Sequence, residues 1–184
     1  MGRIGLLRRI WLTRFAKPAA DRVVYRHLLK HAPSRIMQIG LGPLDRTSRM
    51  LSVARAAAEG RPIHYVGLDR FEERLPTEPA GPSLKQAHQR LTGLGRVQLV
   101  PGNADSSLAR LCNHLGMFDL VLIAADTDPR HLERCWFFIQ RITKPASTVL
   151  LESVADPQSG PSWRAVPKAT LDDLASRTVL RRVG

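Results

Sequence analysis

Arg35-Ile-Met-Gln-Ile-Gly-Leu-Gly-Pro-Leu-Asp-Arg-Thr47 is the stretch that decides the fold. A short apolar run, interrupted only by Gln38, ends in Gly40-x-Gly42 and opens into a helical pattern. A parallel strand passes into a helix this way, through a turn with no side chain in the path. Glycines there let a ligand lie close to the backbone, and the helix start presents unpaired N–H groups toward it.

Outward from this turn, the apolar period alternates regularly. It predicts strands at 35–39, 63–69, 96–100, 118–125 and 147–152, and helices at 47–59, 83–93, 106–115 and 130–142. Met50, Val53, Ala54 and Ala57 give the first of these helices its apolar stripe, with Gly60 as C-cap and Pro62 as its stop. Strands without polar alternation are buried on both faces, as parallel strands are. The expected fold is therefore α/β: a Rossmann-like, doubly wound, mostly parallel sheet of order 3-2-1-4-5, with helices on both faces. The tail reads as a loop at 153–167, a short helix at 170–177 and a sixth strand from Thr178 to Val183. Helical patterns at 3–16 and 19–31 precede the sheet, separated by Pro18. The expected organisation is a basic N-terminal helical arm, 1–32, followed by an α/β domain, 33–184.

The net charge is +12, and residues 1–35 hold nine Lys/Arg against Asp21 alone, so most of the excess belongs to the arm. Such an arm suits an RNA or an anionic membrane face, through residues 3–17, or packing within this fold or a homodimer. No apolar run approaches the roughly 20 residues that span a bilayer, so no transmembrane segment is expected. Cys112 and Cys135 fit neither a disulfide framework nor a zinc spacing, which points to a reducing, cytoplasmic setting and no metal.

In such a sheet the ligand lies beyond the carboxyl ends of the strands. Those ends carry Gly40, Leu41 and Gly42; Asp69; Gly102, Asn103, Ala104 and Asp105; Ala124, Ala125 and Asp126; and Glu152 and Ser153. Asp69 is the sharpest of them, since a carboxylate closing a buried strand can accept both vicinal hydroxyls of a ribose. Asn103 offers donor and acceptor to an adenine edge.

These pieces resemble the class I, Rossmann-like, S-adenosylmethionine-dependent methyltransferases across residues 33–153. Gln38-Ile-Gly-Leu-Gly42 is similar to the first family motif. Val66-Gly-Leu-Asp-Arg-Phe-Glu72 resembles the ribose motif, Val97-Gln-Leu-Val-Pro-Gly-Asn-Ala104 the adenine motif, and Phe118-Asp-Leu-Val-Leu-Ile-Ala-Ala-Asp126 the motif facing the transferred methyl. The resemblance implies S-adenosylmethionine as cofactor, held by Gly40, Leu41, Gly42, Asp69, Arg70, Asn103, Ala104 and Ala124. It implies methyl transfer to a small-molecule or RNA acceptor. Asp126 and His131 are the candidate catalytic bases. The chain departs from the family pattern at Gln38, Leu44, Asn103 and Ala124, and the side chains of Leu44 and Asp45 are expected at the methionine end of the cofactor. Two other readings share the glycine turn. One is a nicotinamide-dependent oxidoreductase. The other is a non-catalytic binding protein on a degenerate methyltransferase frame. The 76–82 and 154–167 segments are expected over the cleft in any of these readings.

Overall fold

The computed structural model describes residues 5–74, 81–154 and 160–183, apart from the side chains of Leu6 and 179–183. Six strands form one sheet: β1 (Arg35–Ile39), β2 (His64–Asp69), β3 (Arg96–Pro101), β4 (Phe118–Ile123), β5 (Thr143–Ser153) and β6 (Ser162–Ala165). Their order is β3-β2-β1-β4-β5-β6. The first five are parallel, with Ile36 opposite both Tyr65 and Leu120. Strand β6 runs antiparallel to β5 and pairs Trp163 with Glu152. The sheet of alternating strands and helices expected from the apolar period is thus the observed one.

Successive residues of the central strands serve two cores, because side chains alternate across a sheet. Ile36, Tyr65, Leu120 and Leu122 pack with α2 (Asp21–His31), α3 (Leu44–Ala57) and α4 (Leu84–Leu91) on one face. Met37, Ile39, Val121 and Ile123 pack with α5 (Ala104–Leu115), α6 (Pro129–Arg141) and α7 (Lys168–Val183) on the other. At the sheet edge β3 leaves Arg96 and Gln98 exposed, so alternation returns where one side lacks a neighbour. Helix α1 (Leu6–Arg14) and its C-terminal turn contribute Leu12 and Ala16 to the first core, beside Val24, Tyr25 and Leu28 of α2.

The C-terminal region corrects the sequence reading. Thr178–Val183 is helical, and the sixth strand lies at Ser162–Ala165 inside the expected loop. The β-branched residues at 178–179 favour a strand locally, but packing on α6 overrides that preference. Leu171, Ala175 and Thr178 recur at helical spacing and are buried. The Thr178 hydroxyl donates to the Glu133 carbonyl, and Gln140 of α6 donates to Asp172. Trp163, 8% exposed, anchors the short strand. Helix α3 also starts at Leu44, ahead of the expected 47, because Pro43 sets the N-cap with φ near −64°.

Strand order reverses between β1 and β4, and the carboxyl ends of these neighbours leave a crevice.

Candidate active site

The turn after β1 is shaped by what surrounds it. Gly40 has φ +76°, and a Cβ there would stand 2.9 Å from Ala124 Cβ and 2.9 Å from Asp126 Oδ1. Both conformation and space require glycine. Gly42 also has positive φ, +57°, but among the described residues nothing lies within 4 Å of its would-be Cβ. Gln38 braces the turn from beneath. Its amide NH₂ donates to the Gly40 carbonyl at 2.9 Å and the Leu41 carbonyl at 3.2 Å. Its amide oxygen accepts from the Tyr65 hydroxyl at 3.0 Å. Thr47 adds a bond to the Leu41 carbonyl at 3.0 Å. The residue that departs from the family acid is thus a buried, hydrogen-bonded clasp. Burial raises the Tyr65 pKa far above that of an ordinary phenol, with the Asp69 charge adding to the effect.

Asp69 closes β2 and is 4% exposed. Its carboxylate accepts from the Leu41 N–H at 2.8 Å and the Phe71 N–H at 2.9 Å. Phe71 holds φ +48°, a conformation bulky residues avoid, fixed by its burial and by that bond. Both carboxylate oxygens also accept from Arg74 Nη2, at 3.0 and 2.9 Å. Arg74 reaches on to Asp126 at 3.5 Å. Burial works against the Arg74 charge, but the Asp69 and Asp126 carboxylates outweigh it and raise its pKa. Gly81 backs the guanidinium, where a Cβ would collide with it. Arg74 had no sequence signal of its own, since a charged loop residue can point anywhere.

Opposite, Asn103 is the N-cap of α5, with its side chain making no capping bond. His131 Nδ1 lies 2.9 Å from Asp105 Oδ1. Burial opposes ionisation of Asp105, yet bonds from His131, the Ser106 N–H and Arg134 hold its carboxyl below the usual range. A carboxylate on Nδ1 orients the ring and favours the tautomer whose Nε2 can take a proton. Asp105 was visible as a strand-end residue, but its partnership with His131, 26 positions away, was not. Asp126 caps no helix; Asp128 is the N-cap of α6, accepting from the Arg130 N–H at 2.8 Å. The Thr127 hydroxyl is buried with no hydrogen-bond partner among the described residues.

These elements enclose a cleft of about 110 Å³. Of the expected site residues it brings together Gly40, Asp69, Arg70, Asn103, Ala104, Asp126 and His131, and it adds Arg74, Thr127 and Asp128. Leu41, Gly42 and Ala124 do not line it. Nor do Leu44 and Asp45, against expectation. Leu44 packs on the core and Asp45 pairs with Arg90 on the surface, because helix α3 begins at Leu44 and turns both away from the crevice. Glu152 is likewise engaged elsewhere, by Arg46 at 2.6 Å and the Ala125 N–H at 3.2 Å. Of the 76–82 and 154–167 segments expected over the cleft, 76–80 and 155–159 lie outside the described residues, and Ser162–Ala165 pairs with β5 as β6.

No protein-family model matches the chain, and no curated protein matches it. Solved structures do. An O-methyltransferase from Bacillus cereus, solved with SAH, superposes with a TM-score of 0.58 at 14% identity, over 90% of this chain and 69% of that one. The O-methyltransferase of Streptomyces achromogenes involved in tomaymycin synthesis, solved with SAM, gives 0.54 at 15% identity, over 98% and 78%. The chain has the class I methyltransferase fold. A SAM-dependent methyltransferase from Agrobacterium tumefaciens gives 0.54 at 13% identity, over 87% of this chain but 50% of that one. At such identities the methyltransferase fold is shared, and the reaction has to be argued from the site.

Proposed function

We propose that this chain binds S-adenosylmethionine in the cleft beside Gly40 and transfers its methyl group to a small-molecule or RNA acceptor. The observation that carries this reading is Asp69, a buried carboxylate pinned by two backbone N–H groups at the end of β2, opposite Asn103, whose side chain makes no capping bond. The donor set fits a nucleoside-bearing ligand: a carboxylate for the ribose diol, an amide for adenine and a backbone turn free of side chains. The orphaned Thr127 hydroxyl inside the cleft supports a further polar contact with such a ligand. The cleft is smaller than the roughly 300 Å³ of an ordinary small-molecule pocket. Arg74 occupies the position the ribose hydroxyls would take, so its guanidinium must swing off Asp69 for the ligand to seat.

The bound cofactor would supply an activated methyl on a sulfonium, ready for in-line displacement. The protein's part is alignment and proton removal. His131, oriented by Asp105, takes a proton from the acceptor through Nε2. Asp126 is the second candidate base, and departure of Arg74 would free its carboxylate. Gly40, Leu41 and Gly42 supply backbone, Arg70 and Ala104 flank the ribose and adenine positions, and Ala124 backs the turn.

The Arg74–Asp69 pair also favours a second reading, a degenerate frame in which the arginine permanently replaces the ligand. Calorimetric titration with SAM, SAH and a nicotinamide dinucleotide separates the readings. SAM and SAH should bind, Asp69→Ala should weaken them at least about tenfold, and Arg74→Ala should not. Absence of SAM and SAH binding at millimolar concentration in both the native chain and Arg74→Ala would overturn the cofactor assignment. Selective nicotinamide binding would point to an oxidoreductase.

A further inference from the structure

A second cleft, of about 640 Å³, lies at the opposite edge of the sheet, near the amino ends of β2 and β3. Arg8, Arg55, Arg61 and Arg96 line it, with Glu59 as the acidic residue. Backbone carbonyls hold two of these guanidiniums: Arg55 donates to the Gly93 carbonyl and Arg61 to the Ala58 and Ala32 carbonyls. Such bonds fix a guanidinium without cancelling its charge. None of the four arginines forms an ion pair among the described residues.

Arg8 belongs to α1, and α1 has an unusual outer surface. Leu12 and Ala16 point into the core, whereas Leu7 is 84%, Ile10 41%, Trp11 50% and Phe15 61% exposed. At helical spacing these four share one side of the helix, with Arg14 among them. The other exposed large apolar side chains of the described residues, Met117 and Val154, lie elsewhere in the chain. One surface therefore joins an apolar helix face to an arginine-lined cleft, and Arg8 stands between them.

We infer that this surface docks on an anionic phospholipid membrane, with α1 lying in the interface and the arginine cleft receiving phosphate-bearing headgroups. Leu7, Ile10, Trp11 and Phe15 gain by burial at the headgroup–acyl boundary, where aromatic side chains are favoured and arginines extend their charge to the headgroups. A nucleic acid would use the arginines and could stack on Trp11 and Phe15, but it offers nothing to Leu7 and Ile10. Membrane affinity needs two signals, apolar insertion and cationic attraction, and both are present here. The methyltransferase-fold cleft, at the other edge of the sheet, stays in water. The inference does not depend on the proposed reaction, and its test involves no cofactor.

The full chain is sedimented with phosphatidylcholine vesicles with and without phosphatidylserine, while tryptophan emission is followed. Trp136 and Trp163 are buried, so a blue shift reports Trp11. Binding should require phosphatidylserine and fall as salt rises. Trp11→Glu and, separately, the Arg61→Gln/Arg96→Gln pair should each weaken it at least about tenfold. These positions are exposed, and unchanged circular dichroism should verify that the variants fold. No sedimentation, equal binding to neutral vesicles, or retention of both variants would overturn the inference. Two other outcomes would do the same: binding of single-stranded RNA without vesicle binding, or a stable dimer that Trp11→Glu dissociates.

Discussion

The two edges of this sheet use arginine in opposite ways. At the carboxyl edge two guanidiniums are each matched by two carboxylates. Arg74 bridges Asp69 and Asp126, and Arg46 bridges Asp21 and Glu152 beneath Trp163. At the amino edge Arg55 and Arg61 rest on carbonyls, and Arg96 is exposed with no ion pair among the described residues. The first arrangement neutralises charge inside the protein and joins elements distant in sequence. The second leaves charge for something outside. Net charge alone would never separate these roles; the partners of each guanidinium do.

The largest expected effect tests that distinction directly. Arg46→Ala would strand Asp21 and Glu152, whose side chains are 3% and 5% exposed, and should cost about 3–5 kcal/mol in urea unfolding. Arg96→Ala at the opposite edge should change stability by no more than about 0.5 kcal/mol. Equal losses would erase the contrast.

Within the carboxyl edge, the two glycines of the first turn should also differ. Gly40→Ala meets Ala124 and Asp126 as well as backbone strain, and should cost about 2–4 kcal/mol. Gly42→Ala meets only strain and should cost about 1 kcal/mol in the same unfolding experiment. The smallest effect concerns acid. Asp105 has a lowered folded pKa, so its contribution is complete above its unfolded pKa and is lost as pH falls through the folded value. Asp105→Asn should therefore flatten the decline in thermal stability below about pH 4 and leave its slope near neutrality unchanged.

Strands β1 to β5 and the crevice at their carboxyl ends were legible because buried parallel strands are written as apolar runs and each run stops at a small or acidic residue. Asp69 could be singled out for that reason. Strand β6 was hidden because four residues near Pro161 and Pro167 carry no measurable period. The terminal helix was read at 170–177, but its last turns from Thr178 were mistaken for a strand because their partner surface, on α6, is distant in sequence. Arg74 and the Asp105–His131 pair were invisible for a related reason: each is a meeting of side chains across loops, and spacing along the chain says nothing about where a loop side chain turns. Leu44 and Asp45 failed in the same way, since a three-residue shift in a helix start rotates them out of the crevice.

The clasp beneath the glycine turn has one more consequence. Gln38 does not ionise, and Tyr65 stays a neutral phenol far into alkali. Both stay neutral at neutral pH, so the clasp holds the Gly40 and Leu41 carbonyls without placing a charge beneath the proposed nucleoside.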